Sequence, residues 1–210
     1  MDAREVAPGL WIWSAYHDSW KENVGSVYVE TADGIVLVDP LVPTKDAGRF
    51  WRALDRDAER VGGGVHVLLT VFWHARSAGA VADRYGARTW VPRAARAPVA
   101  RRGIPVTDPF RAGDELPGGI EAFSTARSSE VVYWLPRHRA LVPGDVLLGA
   151  DDGGVRLCPR SWLPDSKSLE DLAGTLRPLL DLPVSRILVS HGEPVLRDGR
   201  KALAAALASP

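Results

Sequence analysis

The sequence contains very little cysteine and has no excess of charge of either sign. Cys158 is the single cysteine among 210 residues, so the chain cannot form an internal disulfide. Lysine plus arginine and aspartate plus glutamate are equal at 26 each, which gives a formal net charge of +0. A balanced chain creates no global field that attracts nucleic acid or an anionic membrane. We therefore expect neither partner, and a reducing compartment suits the one free thiol.

Segments that target or anchor a chain are also missing from the sequence. Residues 1–5 are too polar for a cleaved leader, and no apolar run approaches the ~18 residues that cross a bilayer. These features predict a cytoplasmic protein. The hydrophobic content of 46% and the charged content of 25% are ordinary for a globular chain. Because no linker rich in serine, glycine or proline divides the chain, we expect one domain over residues 1–210.

The motifs of several common catalysts do not occur either. The sequence has no Gly-x-Ser-x-Gly elbow and no P-loop. Residues 62–64 are three glycines, but they follow a predicted helix rather than a strand and do not suit a phosphate-binding loop. Ser190 directly precedes His191, and adjacency alone does not make a nucleophile and its base.

Strand and helix patterns alternate along the chain and predict an α+β protein. Asp33-Gly34 between two β-branched runs predicts a hairpin of residues 27–30 and 35–38. Apolar runs predict further strands at residues 65–70, 89–91, 120–123, 131–135, 140–142 and 187–189. Helical periodicity and capping residues predict helices at residues 44–60, 78–85, 168–182 and 198–207, with Thr44, Ser77 and Ser168 as caps.

The stretch from Leu68 to Ala80, LLTVFWHARSAGA, has the frame of a metal-binding loop. In this frame the sequence resembles the metallo-β-lactamase superfamily, whose signature is Thr-His-x-His-x-Asp-His-x-Gly-Gly. Further landmarks of that family occur in the expected order in residues 24–40, 125–134, 142–147 and 187–194. The resemblance covers residues 10–207 and implies a four-layer αββα sandwich. Asp39, at the end of the hairpin, is expected to have a structural role in capping backbone amides.

The resemblance implies seven metal-ligand positions, and most of them lack a ligand in this sequence. The positions hold Val71, Trp73, Ala75, Arg76, Ala126, Asp145 and His191. Only Asp145 and His191 can bind a metal, whereas an arginine is a permanent cation that repels Zn²⁺. A hydrolytic zinc site needs about three protein ligands and an open position for water. We therefore expect a degenerate, metal-free site: a non-hydrolytic pseudoenzyme whose pocket binds a small anionic or aromatic ligand.

His74 keeps a second hypothesis open. If the loop slips by one residue, His74, Asp145 and His191 form a two-histidine, one-carboxylate set for one zinc or iron ion. The protein would then be a mononuclear metal-dependent hydrolase. An argument against this second hypothesis is that neighbouring side chains in an extended segment point to opposite sides. Trp73 would then point toward the metal-ligand positions implied by the resemblance, and His74 would point away from them.

Four further side chains are candidates for the pocket. Arg76 is expected to pair with Asp145. A buried carboxylate without a counter-charge raises the free energy of the folded state, and Arg76 is the only cation among the seven metal-ligand positions. Arg127 is either a solvent-facing loop residue or a second cation for an anionic ligand. Trp73 either fills volume or stacks a flat ligand. His17 lies where the family often has a substrate-facing loop, and the alternative is a surface position. A structural role, for example as one half of a homodimer, also stays open.

Overall fold

The structure, a computed structural model that describes residues 2–208, contains a large mixed sheet that leads up to the candidate site. Its seven strands are β1 (Asp2–Ala7), β2 (Leu10–His17), β3 (Glu22–Thr31), β4 (Gly34–Val38), β5 (Gly64–Leu68), β6 (Arg88–Pro92) and β7 (Asp108–Phe110), in that order across the sheet. Strands β1 to β4 are antiparallel and β4 to β7 are parallel. Parallel neighbours need crossover connections. The helices α1 (Ala47–Val61), α2 (Ala78–Tyr85) and α3 (Arg96–Ala100) lie in these crossovers.

A second, smaller sheet faces the first. The remaining strands are β8 (Glu121–Ser124), β9 (Val131–Leu135), β10 (Ala140–Val142), β11 (Leu147–Gly149), β12 (Val155–Leu157) and β13 (Arg186–Ile187). Four of them pair in the order β13-β10-β9-β8, and β11 pairs with β12 as a separate ribbon. The helices α4 (Leu169–Leu176) and α5 (Gly199–Ala208) complete the chain.

The alternation of strand side chains produces the four layers. Val36 of β4 and Tyr133 of β9 belong to the cluster buried between the two sheets. Leu37 of β4 points to the other face, where it packs with residues of α1 to α3. On the outer face of the second sheet, Val132 packs with Leu172 of α4 and with residues of α5. The architecture is therefore the expected αββα sandwich.

Most of the predicted elements are confirmed, the ends of several strands are shifted, and two helix boundaries differ for local reasons. The helix predicted from Thr44 begins at Ala47, since Asp46 has a left-handed φ of 67° and the hydroxyl of Thr44 donates to Asp18. The helix predicted over residues 168–182 is α-helical only to Leu176 and continues as a 3₁₀ helix. Short strands such as β7, β11 and β12 were not predicted. None of the helices within residues 2–208 has the length and apolarity that a membrane crossing requires.

Candidate functional site

The candidate site lies where four loops meet at one end of the sandwich. Asp39 follows β4, and the 3₁₀ helix Phe72–Ala75 follows β5. Asp145 comes from the loop after β10, and His191 from the loop after β13. β4 is parallel to β5 and β10 is parallel to β13, so each pair delivers its following loops to the same sheet edge. This is the usual position of a ligand site in parallel sheets.

His74 is buried between two carboxylates. Its Nδ1 lies 2.8 Å from Asp39 Oδ2, and its Nε2 lies 3.0 Å from Asp145 Oδ1. Asp39 also accepts hydrogen bonds from the backbone N–H of Thr70, at 2.8 Å, and from the hydroxyl of Thr70. Because an ionised carboxylate can only accept, Nδ1 of His74 must carry a proton. In the neutral imidazole, Nε2 therefore presents a lone pair toward Asp145.

The two facing atoms have no hydrogen bond. Within the part of the chain that the structure describes, His74 Nε2 and Asp145 Oδ1 are buried without a hydrogen-bond partner, although they are 3.0 Å apart. Two acceptors at this distance repel each other unless a cation or an additional proton lies between them. Burial and Arg76 oppose a positive charge on His74, but Asp39 and Asp145 outweigh them and raise its pKa. The site thus favours positive charge at this point.

His191 completes a group of three metal-binding side chains. Its Nε2 lies 3.3 Å from Asp145 Oδ1. One donor atom each from His74, Asp145 and His191 lies within 4.8 Å of the others. Two ligands of a tetrahedral zinc ion, with bonds of ~2.1 Å, are ~3.4 Å apart. The observed spacing therefore fits one metal ion. Burial opposes the ionisation of Asp145, but His74 and His191 outweigh it and hold the pKa of Asp145 well below its usual range.

Each of these three donors is oriented by a second hydrogen-bonding group. Asp39 holds His74, as described above, and the carboxylate of Glu22 lies 3.2 Å from Nδ1 of His191. The indole N–H of Trp73 donates to Oδ2 of Asp145 at 2.6 Å. Metal ligands in proteins are usually fixed by such outer hydrogen bonds, which set the tautomer and the direction of the free atom. The arrangement directs Nε2 of His74, Oδ1 of Asp145 and Nε2 of His191 toward one point.

The side chains around the site carry more negative than positive charge, which favours a divalent cation. The four carboxylates are Glu22, Asp39, Glu130 and Asp145, and the two permanent cations are Arg76 and Arg127. With both histidines neutral and Glu130 ionised in its pair with Arg127, four negative and two positive charges leave two negative charges without a counter-charge. The residues present therefore fit a divalent metal in charge as well as in spacing.

Arg76 does not pair with Asp145, so that prediction was wrong. The Nη1 group of Arg76 donates to the carbonyl oxygens of Gly25, at 2.8 Å, and Asp39, at 3.0 Å. Its Nη2 group lies 3.5 Å from the hydroxyl of Ser190. Arg76 has a φ of 32°, which ends the 3₁₀ helix and directs the side chain toward β3. The cation therefore ties β3 to the loop that carries His191.

The expectation that His74 points away from the site was also wrong. It assumed an extended loop, but residues 72–75 form a 3₁₀ helix. Successive side chains of such a helix are about 120° apart rather than opposite. Trp73 and His74 therefore both reach Asp145, one at each carboxylate oxygen.

A cleft of about 480 Å³ opens beside the three donors, and we call it the tryptophan cleft. Its lining residues are Trp20, Glu22, Trp73, Arg127, Asp145, Trp162 and His191. The ring of Trp20 lies 5.8 Å from that of His74 and 6.0 Å from that of His191. His17 stacks on Trp20 with ring centroids 4.0 Å apart, so it approaches the site through this tryptophan.

Arg127 is buried, and its alternative as a solvent-facing residue was wrong. Its Nε and Nη2 groups pair with the carboxylate of Glu130, and its Nη1 group donates to the carbonyl oxygen of Trp162 at 2.7 Å. Glu130 also accepts the backbone N–H of Asp145 at 2.8 Å. Burial raises the pKa of Glu130 to about 7, against the opposing effect of Arg127. Trp162 and Asp145 are thus linked through one buried ion pair.

Sequence reasoning missed several of these residues. Glu130 could have been identified from the sequence, because it is a charged residue directly before the continuous apolar run of β9. Asp39 was assigned a structural role, and it does hold the backbone N–H of Thr70, but it also orients His74. Glu22 and Trp162 lie in segments whose pattern gave no indication of a site.

Comparison with known proteins agrees with the fold and the landmarks of the site. The model of a family described as the metallo-beta-lactamase superfamily matches residues 4–209. The structure is similar to that of DIM-1 metallo-β-lactamase exposed to ceftazidime, with a TM-score of 0.74, 14% identity, and coverage of 99% of this chain and 96% of that chain. For a metallo-β-lactamase from Pontibacter korlensis the TM-score is 0.71, the identity 16%, and the coverage 100% and 99%.

A third similar structure is FIM-1 from Pseudomonas aeruginosa in its mono-zinc form, with a TM-score of 0.72, 14% identity, and coverage of 99% of this chain and 94% of that chain. No curated protein sequence gives a significant match. Identities this low show a shared fold alone, whereas the family match spans nearly the whole sequence. The chain therefore belongs to the metallo-β-lactamase superfamily.

Proposed function

We propose that the protein is a mononuclear metal-dependent hydrolase in which His74, Asp145 and His191 hold one zinc or iron ion. The observation that supports this most is the contact between His74 Nε2 and Asp145 Oδ1, which are buried 3.0 Å apart without a hydrogen-bond partner in residues 2–208. One ion would accept a lone pair from each atom and from His191. A two-histidine, one-carboxylate set with an open side suits such an ion.

Other residues orient the three ligands and give a substrate access to the ion. Asp39 keeps His74 in the tautomer whose Nε2 is free, and Trp73 holds the carboxylate of Asp145 in place. The tryptophan cleft gives a substrate access to the open side. When bound, the ion supplies a Lewis acid and an acidified water for hydrolysis.

The same geometry favours one ion over two. A dinuclear hydrolase needs a carboxylate that bridges both ions. Here the second oxygen of Asp145 already accepts the indole N–H of Trp73 at 2.6 Å. Arg76, a permanent cation close to Asp39, would repel a second ion.

A metal-free ligand-binding protein is the second candidate, and the raised pKa of His74 supports it. A protonated His74 donates to Asp39 and Asp145 together, which satisfies both unpartnered atoms. The pocket would then bind a small ligand without hydrolysing it. This state leaves one negative charge without a counter-charge at the site, so we place it second.

The metal content of the purified protein decides between the two candidates. The protein is incubated with Zn²⁺ or Fe²⁺, desalted, and analysed by plasma mass spectrometry. We expect about one equivalent of metal, and none in His74→Ala, Asp145→Ala or His191→Ala. His66→Ala is the matched control, since His66 is a buried histidine in the middle of β5, whereas the site lies in the loop after that strand.

The same measurement of metal content can also overturn the proposal. Metal far below one equivalent in a folded protein, at the same level in the wild type and in His74→Ala, favours the metal-free candidate. Hydrolysis of any ester or amide should follow the metal, being lost with a chelator and restored by the ion. Turnover that resists chelators and the three ligand substitutions would exclude this mechanism.

A further inference from the structure

We infer that the tryptophan cleft selects substrates with a planar, uncharged acyl or aryl group that stacks on Trp162, and that it discriminates against anions. The inference rests on the proposed function, because its charge balance includes one divalent ion. It names the class of substrate that the candidate hydrolase would accept.

Trp162 is the one indole of the cleft over which residues 2–208 place no cation and no stacked ring. Arg127 lies over the ring of Trp73, with Cζ 5.2 Å from the centroid, and His17 stacks on Trp20 at 4.0 Å. Trp162 meets His191 at an interplanar angle of 71°, with ring centroids 6.1 Å apart, so the imidazole does not stack flat on the indole. The side chain is 43% exposed. A flat ligand gains the most contact on this ring.

Arg127 cannot serve as a receptor for an anion in its observed arrangement. Nε donates to the carboxylate of Glu130, Nη2 lies in ion-pair contact with the same carboxylate, and Nη1 donates to the carbonyl oxygen of Trp162. The guanidinium lies over the ring of Trp73, with Cζ 5.2 Å from its centroid. An anionic group would have to displace one of these bonds, and the buried carboxylate of Glu130 would then lose its partner.

The charge balance leads to the same conclusion. With one divalent ion present, the two uncompensated negative charges of the site are neutralised. Apart from the open position of the ion itself, the cleft then carries no net charge to attract a phosphate or carboxylate, and entry between indole walls would strip an anion of its water. The volume of about 480 Å³ suits a small molecule rather than a polymer.

Three probes of equal size and planarity test the inference: 2-naphthamide, 2-naphthoate and 2-naphthamidine, which are neutral, anionic and cationic. Binding to the metal-loaded protein is measured by titration calorimetry, so no turnover is needed. We expect 2-naphthamide to bind at least about fivefold more tightly than either charged probe, and Trp162→Leu to weaken its binding about fivefold. Trp11→Leu is the matched control, because Trp11 is similarly exposed, at 38%, and lies outside the cleft.

The outcomes separate this inference from the function on which it rests. If the protein holds one equivalent of metal but 2-naphthoate or 2-naphthamidine binds most tightly, the selectivity is wrong and the metal site stands. If Trp162→Leu and Trp11→Leu have equal effects, Trp162 is not the stacking residue. If no metal is retained, the charge balance and the proposed function fail together. In that case the cleft keeps its excess negative charge, and 2-naphthamidine should bind best.

Discussion

The imidazole of His74 and the carboxylate of Asp39 form a buried pair, with Nδ1 of the histidine 2.8 Å from Oδ2 of the aspartate. Asp39 is the first residue after β4, and His74 lies on the 3₁₀ helix after the neighbouring parallel strand β5. Two adjacent strand ends thus fix the direction of one imidazole. What binds on its other side, at Nε2, determines what the site does.

Asp39→Asn should weaken metal binding without removing a ligand. The amide keeps the shape of the carboxylate but loses the charge that makes His74 a strong donor. We expect the affinity for Zn²⁺ to fall ~10–100-fold, measured by competition with a chromophoric chelator. Asp108→Asn, which affects a surface pair with Arg88, should leave the affinity unchanged. Equal affinities in the wild type and Asp39→Asn would show that the pair serves folding only.

Much of the fold could be predicted because local patterns determine its elements. Helix α2 ends at Tyr85 as predicted, since Gly86 adopts the left-handed conformation that stops a helix. Strands β9 and β10 are continuous apolar runs around a proline turn, and their predicted bounds are confirmed. The short strands β11 and β12 could not be predicted, because each contains only two apolar residues and neither forms a continuous apolar run like those of β9 and β10.

The site was less predictable, because it depends on side-chain directions rather than on residue types. Asp145 and His191 were identified as candidates from their place in the family frame, and His74 as an alternative. Whether His74 or Arg76 faces Asp145 depends on a 3₁₀ turn and on the positive φ of Arg76. Neither feature has a signature in a single sequence. The pairing of Arg127 with Glu130 is an i, i+3 contact in a loop, where no periodicity indicates it.

The stability of the protein should decrease in mild acid because of His66. Burial lowers the pKa of His66 below 6.5, and its Nδ1 accepts the indole N–H of Trp90 at 3.3 Å. The unfolded chain therefore binds a proton near pH 6.5, where folded His66 stays neutral. The stability that neutral His66 contributes is complete above pH 6.5 and is lost as the pH falls toward the lower folded pKa.

Urea unfolding of the wild type and His66→Gln at pH 7.5 and 5.5 isolates this contribution from that of the other titrating groups. We expect the wild type to lose more free energy of unfolding than His66→Gln between the two pH values. Equal losses would mean that the proton of His66 does not distinguish the folded from the unfolded state.

Arg76 should stabilise the fold through the carbonyl oxygens that it contacts rather than through Asp145. In Arg76→Met the carbonyl oxygens of Gly25 and Asp39 lose donors at 2.8 and 3.0 Å. An unsatisfied buried acceptor costs roughly 1–3 kcal/mol, and Asp39 keeps a second donor in the hydroxyl of Ser26. We therefore expect Arg76→Met to lower the free energy of unfolding of the metal-free protein by about 2 kcal/mol.

A double-mutant cycle with Asp145→Asn tests which partner matters. Because Arg76 donates to Gly25, Asp39 and Ser190, the effects of the two substitutions should add to within about 1 kcal/mol. Arg76→Lys is the conservative control: it keeps the charge but not the fork of donors, and should be almost as destabilising as Arg76→Met. A coupling of about 3 kcal/mol or more, together with full rescue by lysine, would instead identify a buried ion pair between Arg76 and Asp145. That pair would hold the carboxylate away from a metal, and the metal-free candidate would then be the better description of the site.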